Sequence, residues 1–182
     1  MEHIEYEERV LISKDSYHKI LDDIKKESRP FKQLEIENIY LDNDDSFIFK
    51  TKKMLRIRTI NNKEKELTLK IKNPDNSCIE INETLDKHPI IDKELNGKFN
   101  KYHPIAKLKT KRIEVPYEDY LFIIDENHYH DIIDYDIEVE TSSQQKAKEI
   151  ILKYCSKYNL KYDPHYKSKS HRAVEAVRKD ED

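Results

Sequence analysis

Like charges repeat at every second position in four segments of the sequence. Two segments are acidic and two are basic: Glu5 and Glu7, Glu138 and Glu140, Arg56 and Arg58, and Lys70 and Lys72. Residues two apart on a β-strand lie on the same face, about 7 Å apart, so each pair is repulsive unless counter-charges lie nearby. Carboxylates are ligands that Mg²⁺ or Mn²⁺ prefers, and the basic groups, with Arg112, suit phosphate oxygens. The pattern predicts a site for a divalent metal and an oligophosphate.

The same charge pairs could also arise without any ligand, in two ways. Charged strand faces are most often solvated, but such faces usually mix Ser, Thr, Gln and Lys rather than concentrating like charges. Alternatively, the glutamates would pair with Arg56, Arg58 and Lys70 across a barrel. Desolvation offsets the attraction in buried ion pairs, so a ligand accounts better for this many interior charges.

Eight segments alternate between polar and apolar residues with the period of two that is typical of β-strands. They are residues 4–10, 36–41, 54–60, 66–72, 78–85, 107–115, 120–124 and 132–140. Short connections favour antiparallel pairing. We predict an α+β fold in which an eight-stranded antiparallel β-barrel has helices packed outside, so that the charged faces line the lumen.

Apolar residues at helical spacing predict the helices. Ser13 is a predicted N-cap, and the helix that follows must end before Pro30. A weaker helix is expected over residues 91–102, and another after a Ser142 or Ser143 cap, with Cys155 on its apolar face. A short helix is expected in the tail, residues 168–182.

Composition excludes several classes of protein. Charged residues make up 39% of the 182 residues, but the net charge is only −3. The single glycine, Gly97, excludes Gly-rich nucleotide-binding loops, and two cysteines are too few for a disulfide framework or a Cys-rich zinc site. A negative net charge without a basic aromatic stripe argues against nucleic acid, and no segment approaches the roughly 20 apolar residues of a membrane span. We expect one cytoplasmic domain, residues 1–182, that binds neither nucleic acid nor membrane.

Several histidines and lysines are expected to lie away from the site. His128 and His130 have the spacing of a metal-binding pair, but we expect them in an exposed hairpin turn between two strands. Lys107, Lys109 and Lys111 share one strand face, which we place outside the barrel, with Arg112 inside.

The sequence resembles the CYTH superfamily, also called the triphosphate tunnel metalloenzymes. The E-x-E-x-K hallmark of the family corresponds to Glu5-Tyr6-Glu7-Glu8-Arg9. Further matches occur in family order: 40–42 (YLD), 55–58 (LRIR), 67–70 (LTLK), Lys111-Arg112, Asp125, 138–140 (EVE), and Ser168-Lys169 with Arg172. The resemblance implies a barrel enclosing a tunnel, with metal-dependent chemistry on triphosphates. Family members include inorganic triphosphatases, thiamine triphosphatases and class IV adenylate cyclases.

The resemblance also assigns roles to residues of this chain. By position, four glutamates would bind Mg²⁺ or Mn²⁺, with two further carboxylates at the same site: Glu5, Glu7, Glu138, Glu140, Asp125 and Glu80. The phosphate ligands would be Arg56, Arg58, Lys70 and Arg112, with Lys72 on the same strand face as Lys70. Lys169 and Arg172 either reach the tunnel mouth, where Lys169 would bind substrate, or form the polar face of a terminal helix.

Arg9 stands where the family has lysine, and this leaves the activity open. A guanidinium can hold a phosphate oxygen. Because it keeps its proton at any ordinary pH, it cannot act as a base. The leading hypothesis is a metal-dependent hydrolase of inorganic triphosphate, or of a nucleoside or thiamine triphosphate, with Arg9 in the catalytic position. The alternatives are a non-catalytic polyphosphate- or nucleotide-binding module and a class IV-type adenylate cyclase, which would need a base and a nucleoside pocket.

Overall fold

The computed structural model describes residues 2–73 and 77–178, and the side chains of residues 6–63, 65–73 and 77–178. All eight predicted strands are present. They are β1 Glu2–Ile12, β2 Lys32–Asp42, β3 Lys53–Ile60, β4 Glu64–Lys72, β5 Cys78–Glu83, β6 His103–Pro116, β7 Tyr120–Tyr129 and β8 Ile132–Thr141. The helices are α1 Lys14–Lys26, α2 Phe47–Lys50, α3 Pro89–Glu94, α4 Gln144–Tyr158 and α5 Lys169–Arg178, with a 3₁₀ turn at Phe99–Lys101.

The strands form a closed antiparallel barrel, as predicted, and their order around it is β1-β5-β4-β3-β2-β6-β7-β8. The barrel closes through β1, because its two halves pair with different neighbours. Residues 2–5 pair with β5, and residues 6–12 pair with β8. Side chains alternate along each strand, so one set faces the lumen and the other faces outward.

Two apolar clusters cover the outward faces. In the first, Val10, Ile124 and Ile137 of the barrel pack with Ile20 of α1 and Ile151 of α4. The second joins β2 to β5 with α2 and α3, and it contains Leu41, Ile48, Leu55, Leu67, Leu69, Ile81, Ile91 and Leu95. Because the apolar strand faces are buried against helices, the charged strand faces line the interior of the barrel.

The caps of the two long helices explain where they begin. The Ser13 hydroxyl accepts a hydrogen bond from the backbone N–H of Ser16, and the Ser143 hydroxyl accepts one from Lys146. These bonds satisfy N–H groups that have no partner inside the helix. The predicted caps at Ser13 and Ser143 are therefore confirmed.

The last helix, α5, has a different position from the others. Its Ala173, Val174 and Ala176 form a third cluster with four strand residues on the lumen side: Tyr40, Ala106, Leu108 and Tyr129. Tyr40 and Tyr129 lie near the ends of β2 and β7, and Ala106 lies near the start of β6. Because these strands are antiparallel, those positions belong to one end of the barrel. Therefore α5 packs against lumen residues at that end.

The structure differs from the predicted local structure in three places. The helix expected over residues 91–102 is two short pieces, because Asn96 and Gly97 have left-handed backbone angles, with φ of 55° and 68°. The short helix α2 is an element that the sequence pattern does not predict. His128 lies within β7 rather than in a turn, and its Nε2 atom is 2.7 Å from an oxygen of Glu126.

Other predictions are confirmed by the same regions. His130 lies at the exposed turn between β7 and β8. Cys155 is buried on the apolar face of α4. The predicted tail helix is observed over Lys169–Arg178, and residues 179–182 lie outside the described residues. Within the described part of the chain, every helix is too short or too polar to span a membrane.

Candidate functional site

Carboxylates from β7 and β8 form what we call the acidic wall of the lumen: Asp125, Asp134, Asp136 and Glu138. The strand register places Asp125 opposite Asp136. Asp125, Asp136 and Glu138 are at most 2% exposed, and each offers an oxygen within 4.8 Å of the other two. Three buried carboxylates this close require positive charge among them, either from side chains or from a bound cation.

Lys169 and Arg112 supply positive charge to this cluster. The ammonium of Lys169, at the start of α5, contacts Asp125 and lies 3.2 Å from Asp136 and 3.0 Å from Glu138. Arg112 donates two hydrogen bonds to Asp125, of 3.1 and 2.8 Å, and one of 3.0 Å to Glu138. Together with Arg9 they hold the pKa of Glu138 well below its usual range against the effect of burial. Glu138 is therefore ionised.

Arg9 connects the acidic wall to Glu7. Its guanidinium donates to Glu138, which lies opposite it on β8, and to Glu7 at 3.2 Å. Burial alone would raise the pKa of Glu7, but Lys70 and Arg9 override it and lower that pKa to about 2. Burial likewise opposes the charge of Arg9, but Glu138 and Glu7 raise its pKa above the ordinary value. Arg9 is thus a permanent cation between two carboxylates.

Arg172 compensates the rest of the acidic wall. It donates to both oxygens of Asp134, at 2.8 and 3.0 Å, and to Asp136 at 2.8 Å. The side-chain amide of Asn127 donates to the same two aspartates. The motif comparison does not assign Asp134 or Asp136 to the site. The signal is nevertheless present in the sequence, because both share the strand face of Glu138 at a spacing of two.

Strands β3 and β4 carry what we call the basic wall: Arg56, Arg58 and Lys70. Arg56 and Lys70 each lie 3.7 Å from Glu80, and Lys70 also lies 3.1 Å from Glu7. Arg58 differs from both because it donates to the amide oxygen of Asn38, at 3.2 Å. Among the described side chains, no carboxylate lies within 4 Å of the Arg58 guanidinium.

The lack of a nearby carboxylate affects the pKa of Arg58. Burial, followed by the nearby cations Arg56 and Arg112, lowers the pKa of Arg58 to about 10. The guanidinium stays protonated at neutral pH, although its buried and cationic surroundings disfavour the charged form. In addition, the Nε atom of Arg56 is buried without a hydrogen-bond acceptor among the described residues. An anion bound beside the basic wall would relieve both conditions.

The structure also locates the remaining predicted site residues. Glu140 is partly buried and lies opposite Glu7 in the β1–β8 register. The backbone of Glu5 pairs with Cys78, and its side chain lies outside the described part of the structure. Lys72 is exposed at the end of β4, whereas Arg56, Arg58 and Lys70 are buried or partly buried.

The three lysines of β6 confirm the predicted facing of that strand. Lys107 lies 2.8 Å from Glu37 and Lys111 lies 2.9 Å from Glu126, and these lysines are exposed outside the barrel. Arg112 lies on the opposite face and reaches the acidic wall, so it is internal as predicted.

The barrel and its charged interior define the class of protein to which the chain belongs. A model of the CYTH domain matches residues 3–171. The chain is therefore a member of the CYTH family, which includes triphosphatases and cyclases. No curated protein sequence matches the chain significantly.

Solved structures share this fold at low sequence identity. A proposed adenylate cyclase from Bacillus halodurans is 23% identical, with a TM-score of 0.79 over 94% of this chain and 97% of the other. The proposed adenylyl cyclase HpAC1 from Hippeastrum, described as having a dominant triphosphatase activity, is 19% identical. Its TM-score is 0.75, over 97% of this chain and 96% of that one. At these identities the likeness establishes the fold.

Proposed function

We propose that the protein is a divalent-metal-dependent hydrolase of a triphosphate, inorganic or organic, that acts inside the barrel. One observation carries the proposal. Among the described side chains, Arg58 has no carboxylate within 4 Å and the Nε atom of Arg56 has no acceptor, and both arginines share the lumen with a cluster of buried carboxylates. A polyanion brought in together with a cation would satisfy both sets of charges.

The carboxylates fit a hard divalent cation. Asp125, Asp136 and Glu138 offer oxygens close enough to share one ion, and Glu7 is held ionised beside them. Oxygen donors of this kind suit Mg²⁺ or Mn²⁺ rather than softer metals. Such an ion, when bound, offsets the charge that develops on the phosphate oxygens during transfer.

The basic wall would hold the substrate. Arg56, Arg58 and Lys70 reach the lumen from neighbouring strands, and Arg56 lies opposite Thr68, which shares a strand face with Lys70. Guanidinium groups bind phosphate oxygens through paired N–H donors and so fix the direction of the phosphate chain. Arg9, a permanent cation, would neutralise charge rather than accept a proton from the attacking water.

A phosphate-release assay tests the proposal. Inorganic triphosphate, thiamine triphosphate, ATP and pyrophosphate are each supplied with Mg²⁺, with Mn²⁺ or with excess chelator. We expect release from at least one triphosphate with metal, none with chelator, and little from pyrophosphate. The variant Glu138→Gln removes one carboxylate from the cluster and should weaken the metal dependence, and thermal unfolding checks that the variant is folded under the assay conditions.

Two different outcomes would identify the alternative functions. Tight, metal-dependent triphosphate binding without phosphate release would favour a non-catalytic binding module. Formation of a cyclic nucleotide from ATP would favour a cyclase, the activity for which two of the structural neighbours are named. We propose a cytoplasmic protein that has neither nucleic acid nor membrane as partner.

A further inference from the structure

The hydroxyl of Tyr166 has an unusual environment for a buried polar group. Tyr166 is partly buried in the connection between α4 and α5, residues 159–168. Its hydroxyl oxygen is buried and has no hydrogen-bond partner among the residues whose side chains the structure describes. A buried hydroxyl without a partner costs free energy, and such groups in folded proteins normally contact protein, water or ligand. We therefore expect a molecule to bind beside it.

Tyr166 lies at the acidic wall. The guanidinium of Arg172 is 4.6 Å from the centre of the Tyr166 ring, and the same guanidinium donates to Asp134 and Asp136. Burial, followed by the charge of Asp136, raises the pKa of Tyr166, so the hydroxyl keeps its proton. Arg9 is another of the charges that act on this hydroxyl. The hydroxyl therefore lies in the part of the wall that α5 reaches through Arg172.

The connection between the helices holds Tyr166 in place. The backbone N–H of Tyr166 donates to the carbonyl oxygen of Asp163 at 3.3 Å, and the Asp163 carboxylate accepts from the backbone N–H of His165 at 2.8 Å. Arg172 covers the ring from α5. Because both the backbone and the ring are held, the side chain needs little ordering when a ligand binds beside it.

Two other tyrosines near the acidic wall or the same connection have carboxylate partners. Tyr129 donates its hydroxyl to Asp134, and Tyr162 donates its hydroxyl at 2.9 Å to Glu8. Tyr166 differs from both, because the described side chains offer its hydroxyl no acceptor. A role in holding the fold together through that hydroxyl is therefore not supported.

The surroundings of the hydroxyl favour a water molecule over a phosphate oxygen as its partner. A phosphate oxygen at this position would also face Asp134 and Asp136 and would be repelled by them. A water molecule is neutral, and it can accept from the hydroxyl while it donates to a carboxylate oxygen of the wall. Hydrolysis needs a water held beside the phosphate, and Arg9 offers such a water only hydrogen-bond donors.

We propose that the Tyr166 hydroxyl is a further catalytic group, which holds the attacking water beside the acidic wall. This inference rests on the proposed function and adds a residue to it. The water oxygen forms a bond to the terminal phosphorus, and the bond from that phosphorus to its bridging oxygen breaks, with the electron pair leaving on the diphosphate group. The proton that the water loses passes to a phosphate oxygen. Tyr166 keeps its own proton and acts by orienting the water.

The substitution Tyr166→Phe tests the proposal, because it removes the hydroxyl and retains the ring beside Arg172. With Mg²⁺ and the triphosphates of the phosphate-release assay, we expect kcat to fall about 10- to 100-fold and KM to stay within about twofold. Binding of Mn²⁺ to the protein alone, measured by calorimetry, should be unchanged. The melting temperature should stay constant or rise, because a buried hydroxyl without a partner has been removed.

Tyr162→Phe is the matched control. It removes a hydroxyl that donates to Glu8, which shares the outer face of β1 with Val10, so it should leave kcat unchanged.

Each remaining outcome would overturn the role of Tyr166. An unchanged kcat in Tyr166→Phe would do so and leave the proposed hydrolase intact. A raised KM with kcat unchanged would mean that the hydroxyl binds the substrate rather than the water. Weaker Mn²⁺ binding or a lower melting temperature would identify a part in the metal site or in the fold. Absence of phosphate release from every triphosphate in the wild-type protein would overturn both the hydrolase and the held water.

Discussion

The acidic and basic walls of the barrel differ in how their charges are compensated. Each carboxylate of the acidic wall contacts one or more of the cations that surround it: Arg9, Arg112, Lys169 and Arg172. On the basic wall, Arg58 donates to an amide oxygen, and burial together with the nearby cations Arg56 and Arg112 lowers its pKa. The chain thus compensates the acidic wall with its own cations, whereas on the basic wall Arg58 has no carboxylate within 4 Å among the described side chains.

This difference indicates that the two walls contribute to different properties. Removing one partner of a compensated buried pair leaves uncompensated charge in the interior and is strongly destabilising. Removing a buried cation that has no counter-charge relieves a desolvation cost instead. We therefore expect substitutions in the acidic wall to lower stability first and those in the basic wall to lower ligand affinity first.

The largest effect is expected for Glu138→Gln. Glu138 contacts Arg9, Arg112 and Lys169 together, so its neutralisation leaves three buried cations with one fewer carboxylate. We expect the free energy of unfolding to fall by about 3–5 kcal/mol, as measured by urea unfolding without metal. Glu126→Gln is the matched control, since Glu126 pairs with the exposed Lys111 and should cost about 1 kcal/mol or less. Equal losses in the two variants would contradict the comparison.

Acid should destabilise the protein through Glu7. The pKa of Glu7 is about 2 in the folded protein, below the value of about 4.3 in an unfolded chain. Its ionisation therefore stabilises the fold above about pH 4.3, and that contribution, about 3 kcal/mol, is lost as the pH falls through about 2. Urea unfolding between about pH 7 and pH 2.5 measures it. Glu7→Gln should flatten this part of the pH dependence, and an unchanged profile would show that Glu7 is not its source.

On the basic wall, Arg58→Ala should reduce affinity rather than stability. Losing a paired guanidinium contact with phosphate should weaken triphosphate binding about 10- to 100-fold in a calorimetric titration with Mg²⁺. The free energy of unfolding without ligand should stay constant or rise, because a buried charge without a carboxylate partner has been removed. Lys109→Ala removes an exposed cation outside the barrel and is the control. A variant that unfolds would show that Arg58 is structural.

Much of the fold could be predicted because the strand signal is local. Alternation with a period of two identified all eight strands, and the like-charged pairs on one face identified the interior of a barrel. Serine caps identified the starts of α1 and α4. The break at Asn96 and Gly97 was missed although Asn-Gly is a turn signal, because the apolar residues on both sides of it keep helical spacing.

The arrangement of the site was less predictable because it depends on contacts distant in sequence. Lys169 approaches Asp125 across 44 positions, and which end of the barrel receives α5 is determined by packing against Tyr40 and Leu108. Both alternatives for Lys169 were compatible with the sequence. The β7–β8 register places Asp136 opposite Asp125, and the alternation of polar and apolar residues does not by itself predict a register.

The smallest effect is expected for Arg9→Lys, which restores the residue of the family motif. Arg9 donates to Glu138 through Nε and to Glu7 through Nη2, which also contacts Glu138, so a single ammonium would lose at least one of these contacts, costing about 1 kcal/mol in urea unfolding. The positive charge between the two carboxylates would remain. If position 9 acts through that charge, turnover of triphosphate at matched saturation should be preserved or raised.

Two outcomes of that substitution would give Arg9 a different role. Wild-type hydrolysis that collapses in Arg9→Lys would mean that the forked guanidinium geometry is required, because charge alone is conserved between the two side chains. A wild-type protein that binds triphosphate without releasing phosphate, together with activity gained in Arg9→Lys, would identify Arg9 as the residue that makes this chain a binding module. Catalysis at this barrel would then depend on an ammonium that can exchange a proton, rather than on a fixed cation.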